Sequence, residues 1–156
     1  AKAINRGKYI YKKHFKEKVE DFTFIHSLVT TENINDLLLK ACPQGKVDLL
    51  SIDLDGNDYF IWKAINTLHP KIVVTEVQVE KGNIDFIPEY TRGFETFESG
   101  VPKGASPVSM IKLADEKGYE LVAANKQGYN LFFVRRDCMS NLKAIGVTEM
   151  LKNIVK

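Results

Sequence analysis

Cysteine is scarce in this chain, and the absences narrow its class before any motif does. The two cysteines, Cys42 and Cys138, cannot build a disulfide framework, and neither sits in a Cys-x-x-Cys pair. No apolar run approaches the about 18 residues that cross a bilayer. The start is basic but no apolar stretch follows it, so no signal peptide is read. No internal repeat is visible, and no base-reading motif accompanies the lysines, so no nucleic-acid partner is expected. Hydrophobic residues at 44% and charged residues at 27% exclude disorder, collagen-like repeats and low-complexity scaffolds. What remains is a cytoplasmic α/β chain of 156 residues, within the roughly 100–200 of one domain. A chain of that size buries roughly 68–70% of its extended surface, enough for a core without staples.

The formal charge of +2 conceals an asymmetry. Lys2, Arg6, Lys8, Lys12, Lys13, Lys16 and Lys18 face only Glu17 across residues 1–18, a local +6 that leaves −4 for the rest. Interleaved Tyr9, Tyr11 and Phe15 suit contact with phosphates or an acidic membrane surface. The simpler reading, which the sequence favours, is a solvated amphipathic helix with Ile4, Tyr11 and Phe15 turned inward.

Beyond it the pattern alternates. Phe22–Val29 is short, apolar and β-rich and reads as a strand. Thr30, Thr31 and Asn33 are candidate N-caps for a helix over 34–41, which Cys42-Pro43-Gln44-Gly45 stops. Val47–Leu54 reads as a second strand, too uniformly apolar for a half-exposed edge. Ile61, Trp62, Ile65 and Leu68 at helical spacing predict a helix over 58–68, and 71–77 is a third strand. Strand, helix, strand, helix, strand points to a parallel sheet with covering helices. Residues 78–105 break the rhythm with Gly82, Gly93, Gly100, Gly104, Pro88 and Pro102. A connection this long reads as a functional lid or as disorder. Its Phe86, Tyr90, Phe94 and Phe97 either line a substrate site or pin the loop to the body. Ser106 as N-cap, Pro107 at the first helical position and Gly118 just past the end mark the next helix. Tyr119–Ala124 and Tyr129–Val134, joined by Asn125-Lys126-Gln127-Gly128, form an antiparallel hairpin. A terminal helix is read within 139–155.

The densest polar cluster, Ser51-Ile52-Asp53-Leu54-Asp55-Gly56-Asn57-Asp58-Tyr59, falls where the second strand ends and a helix begins. In open α/β sheets ligands bind outside the carboxyl ends of strands. Asp53 and Asp55 alternate along the strand and point to one side, Gly56 permits a sharp turn, and Asn57 caps the helix. Carboxylates packed this densely repel one another unless a cation or donors separate them. Asp53, Asp55, Asn57 and Asp58 are therefore the candidate metal ligands, and oxygen ligands of this kind suit Mg²⁺ or Ca²⁺. Tyr129 and Asn130 are read as structural. His14, His26 and His69 carry no partner pattern.

Two families are resembled. Asp53-Leu54-Asp55-Gly56 after an apolar strand is similar to the first motif of haloacid-dehalogenase-type phosphatases, which implies Asp53 as phosphoryl acceptor and Asp55 as acid/base. That family also needs a lysine, for which Lys71 or Lys103 is offered. The second resemblance spans Thr30 to Asp137. It is carried by Val29–Ile34, Asp48–Tyr59, Pro70–Glu76, Gly104-Ala105-Ser106, Lys117–Val122 and Asn130–Arg135. These segments resemble the C-terminal part of FkbM-type, class I S-adenosylmethionine-dependent methyltransferases.

That likeness implies a Rossmann-like methyltransferase sheet, mainly parallel with a C-terminal antiparallel hairpin, in which Phe22–Val29, Val47–Leu54 and Ile72–Val77 are strands three, four and five. Residues 1–156 then form a single domain lacking the first two strands, either a truncation or a half-domain completed by another chain. The implied activity is O-methylation of a small-molecule or sugar-type acceptor. Asp53, Asp55 and Glu76 are its implied catalytic residues, S-adenosylmethionine its cofactor, and Mg²⁺ a further candidate. The family's glycine-rich turn, which lets backbone approach the cofactor, has no counterpart before Phe22, so no cofactor-binding residue is assigned. A bare strand three would invite pairing with a second copy, or make the chain a non-catalytic interaction module.

Overall fold

The computed structural model describes residues 2–15, 22–92 and 104–154. Lys16, Lys18, Phe94, Phe97 and Lys103 lie outside them, so the outer parts of the basic segment and of the long loop are not described further. In chain order the elements are helices α1 (Lys2–Phe15) and α2 (Ile34–Ala41), strand β1 (Leu49–Ile52), helix α3 (Asp58–Ala64) and strand β2 (Ile72–Glu76). Helix α4 (Pro107–Glu116), strands β3 (Tyr119–Ala124) and β4 (Asn130–Arg135), and helix α5 (Val147–Lys152) follow.

The four strands form one α/β mixed sheet in the order β1-β2-β4-β3. β1 and β2 are parallel, with Leu50 opposite Val73 and Ile52 opposite Thr75. β4 runs antiparallel to both β2 and β3. By its pairings the expected mainly parallel sheet is corrected to a mixed one, since one of the three is parallel, although β1, β2 and β3 share one direction. The last strand lies between β2 and β3 and runs against both. The hairpin itself matches its expectation, with Gly128 at φ 80 and its N–H donating to Asn125 O at 2.9 Å.

A second correction concerns Phe22–Val29, which joins no sheet. An apolar, β-rich run becomes a strand only where a ladder partner accepts it. Here the rings pack on α1 instead: Tyr11 lies 4.3 Å from Phe22 and 6.1 Å from Phe24 between centroids. Among the described residues the edge strands are therefore β1 and β3, and Phe22–Val29 is not a bare strand three. β1 is shorter than expected, and Leu49 is 53% exposed, so this strand is a sheet edge despite its uniform apolarity. At the other rim Ile145 N–H donates to Leu121 O at 2.8 Å, which partly closes β3.

Residues that pair across the sheet point to the same face, and this places Ile52, Val73, Leu121, Leu131 and Phe133 together. Trp62 of α3 meets Phe133 at 5.0 Å and Tyr119 at 5.8 Å. Met110 and Leu113 of α4 complete this core and are fully buried. Helix α3 stops at Ala64, short of its apolar pattern, because Ile65 turns to an extended backbone.

The long connection after β2 is partly ordered by α4. Ser106 is fully buried at the N-cap, and its Oγ accepts from Ser109 N–H at 3.2 Å and Phe86 N–H at 3.1 Å. Ser106 N–H donates in return to Phe86 O at 2.9 Å. Gln78 N–H donates to Ala105 O, and a Cβ on Gly104 would sit 3.1 Å from Gln78 N, so this approach to the end of β2 favours glycine. Tyr90 meets Phe60 of α3 and so pins the loop to the body, whereas Phe86 stacks under the ammonium of Lys81, a residue of the same connection.

Ser106→Ala removes the cap and strands the Phe86 N–H. The expected cost is about 1–3 kcal/mol in urea unfolding; a loss under about 0.5 kcal/mol would contradict this account of the loop.

Candidate metal centre

Because β1 and β2 are parallel neighbours, their carboxyl ends lie side by side. The turn after β1 and the last residue of β2 therefore meet. β1 ends at Ile52, so Asp53 and Asp55 belong to the turn and do not alternate along a strand as their spacing suggested. The turn is tight: Asp55 has φ 49, a left-handed conformation that Asp and Asn adopt more readily than other side chains, and Gly56 has φ 115, a conformation left to glycine.

A residue that pattern reading grouped with the metal ligands holds this turn. Asp58 is 3% exposed, and its carboxylate accepts from Leu54 N–H at 3.3 Å and Gly56 N–H at 3.1 Å. Asn57 occupies the N-cap position of α3 without a side-chain cap bond; its Nδ2 donates to Thr91 O at 2.8 Å and ties the turn to the long loop. Asp58 acts on backbone, and its position at the first turn of α3, two residues past a glycine, is the signal for that role.

The groups brought together are Asp53, Asp55 and Glu76, one carboxylate oxygen from each lying within 4.8 Å of the others. Asp53 and Asp55 are exposed and Glu76 is half-buried. Among the described residues no ion pair neutralises any of the three. Burial, then the charges of Asp58, Asp53, Asp55 and Glu80, push the Glu76 carboxyl above the usual range. Burial raises Asp58 to about 6 against the pull of its backbone N–H donors, and the Asp53 charge adds to the rise. Three unpaired carboxylate oxygens at this separation fit a hard divalent cation with oxygen ligands.

The remaining candidates lie elsewhere. Lys71 precedes β2, at the end of the sheet opposite the carboxylates, and its Nζ is 2.8 Å from Asp48. His14, His26 and His69 are exposed. Tyr129 donates to Glu80 Oε1 at 2.7 Å, a bond that pins the hairpin to the segment after β2, and Asn130 N–H donates to Asn125 Oδ1. A cavity of about 290 Å³ between Trp62, Leu68, Pro70, Lys117 and Tyr119 also opens at the end opposite the carboxylates. Among the described residues no helix is long and apolar enough to cross a membrane.

No family model matches the chain, and neither a curated protein nor a solved structure matches it at significant similarity.

The Asp58 carboxyl generates a pH signature. Its folded pKa is raised from 3.8 to about 6, so the folded chain keeps a proton that the unfolded chain has released. That contribution is complete below the unfolded value and is lost as pH rises toward about 6. In chelator-containing buffer, the stability difference between Asp58→Asn and the parent chain should move in favour of the variant between pH 3.8 and about 6, on top of a pH-independent cost for the second N–H acceptor that Asn lacks. The movement is on the order of 3 kcal/mol, read from denaturant unfolding at several pH values. A pH-independent difference would contradict the assignment.

Proposed function

We propose that Asp53, Asp55 and Glu76 form a divalent-cation centre that binds and activates a hydroxyl-bearing small-molecule or sugar-type acceptor, the acceptor side of an S-adenosylmethionine-dependent O-methyltransferase. The observation that carries the reading is the meeting of three unpaired carboxylates outside the carboxyl ends of two parallel strands. The antiparallel pair of last strands and the segments resembling class I methyltransferases add support.

A cation held by Asp53, Asp55 and Glu76 would lower the pKa of a bound hydroxyl. The chain's own groups do the rest. Asp53 and Asp55, on a turn held by the buried Asp58, keep their oxygens oriented without a large rearrangement. Glu76, half-buried at the end of β2, completes the oxygen set from the second strand; with a cation bound its proton affinity would fall, so it would serve as ligand and not as base. The methyl donor is a different matter. No Gly-x-Gly occurs anywhere in the sequence, so residues of this chain do not supply the glycine-rich cradle that the resemblance calls for. The chain accounts for the acceptor side alone, and no step through the donor is derived.

Metal addition tests the reading directly. With Mn²⁺ or Mg²⁺ near a hundredfold over its dissociation constant, the melting temperature should rise by roughly 5–10 °C. The rise should vanish in Asp53→Asn/Asp55→Asn. No rise in the parent chain would remove the centre. Mg²⁺-dependent hydrolysis of p-nitrophenyl phosphate, lost in Asp53→Asn, would replace methyl transfer by the phosphohydrolase reading.

A further inference from the structure

Helix α1 is built differently from the rest of the chain. Its 14 residues contain Lys2, Arg6, Lys8, Lys12 and Lys13 and no Asp or Glu. At 3.6 residues per turn, these five cations fall within one arc of about 160°. All five are exposed. The opposite face is apolar and partly used. Ile4, Gly7 and Tyr11 are half-buried, and the Tyr11 ring lies against Phe22 and Phe24. A Cβ on Gly7 would meet the Phe24 ring at 3.3 Å, which shows how closely helix and extended segment approach.

Four apolar side chains on this unit remain in water. Tyr9 is 64% exposed, Ile10 42%, Phe22 41% and Ile25 38%. Ile10 stands at the rim of the cationic arc and Tyr9 within it. Phe22 lies on the Tyr11 ring, on the side of the helix away from the cations. Phosphates alone would be served by the cations and would leave the exposed Tyr9 and Ile10 without a role. A bilayer surface uses both sets: anionic headgroups meet the cations, and the boundary below them receives aliphatic and aromatic side chains. The helix is too short and too charged to span, so it lies in the surface plane.

We propose that the outer, cationic face of α1 is a peripheral docking surface for membranes rich in anionic lipid. Charge complementarity supplies attraction, and Tyr9 within the arc and Ile10 at its rim supply the shallow apolar insertion. This surface is independent of the carboxylate centre, which neither lends it residues nor depends on it for its geometry.

The test is co-sedimentation of the full chain with vesicles of phosphatidylcholine alone and of phosphatidylcholine mixed with phosphatidylserine. Binding is expected only to the mixed vesicles, and it should weaken as salt rises. Lys8→Glu/Lys12→Glu should lower the partition coefficient by about thirtyfold or more. Ile10→Ser, which changes no charge, should lower it by about fivefold. Circular dichroism and melting temperature should match the parent chain in both variants, because each side chain is exposed. Equal binding to both vesicle types would overturn the proposal. So would an Ile10→Ser variant that binds the mixed vesicles as well as the parent does. Retention of duplex DNA while phosphatidylserine vesicles stay unbound would identify a nucleic-acid surface in its place.

Discussion

Parallel pairing of β1 with β2 is the constraint on which the site depends. Two parallel neighbours end on the same side of a sheet, so the turn that follows β1 lies beside the last residue of β2. Leu49 opposite Ile72 and Ile52 opposite Thr75 set that alignment, and Glu76 is the next residue along. An antiparallel pairing would have sent Glu76 to the far end. The core enforces the choice. Ile52, Val73 and Phe133 share the face that Trp62 and α4 cover, and a shift of one residue would turn the apolar set outward.

Within that frame the acidic turn spends stability on geometry. Asp58 is buried at a cost in desolvation, which its two backbone N–H donors offset only in part. Its reward is a turn in which Asp55 adopts φ 49 and stays close to Asp53 and Glu76. Buried carboxylates of raised pKa and unpaired surface carboxylates in one place are a pattern that functional sites share. The same turn is tied through Asn57 to Thr91, so the long loop after β2 is fastened beside the carboxylates.

Local chemistry was legible where one segment decides its own structure. Ser106, Pro107 and Gly118 mark α4 because cap, first-turn proline and terminal glycine act within a few residues. The hairpin turn at Asn125–Gly128 is of the same kind. Phe22–Val29 shows the limit. Its apolar, β-rich composition fits a strand, but a ladder needs a neighbour, and composition carries no information about neighbours. β1 fails in the complementary way: apolar residues on both faces suggest a central strand, yet Leu49 lies open at an edge. The site divides along the same line. Asp53, Asp55 and Glu76 were readable as strand-end carboxylates. That Asp58 serves the backbone follows from its burial, which only the packed fold determines.

The central claim is that Asp53, Asp55 and Glu76 act as one centre. Paramagnetic broadening of backbone amide signals by substoichiometric Mn²⁺ tests it most directly. The account predicts that amides of residues 53–56 and 75–77 broaden first and together, ahead of those around other exposed carboxylates such as Asp48, Asp85 and Asp137. Broadening spread evenly over all exposed acidic residues would contradict it, and so would broadening at 53–56 that spares 75–77.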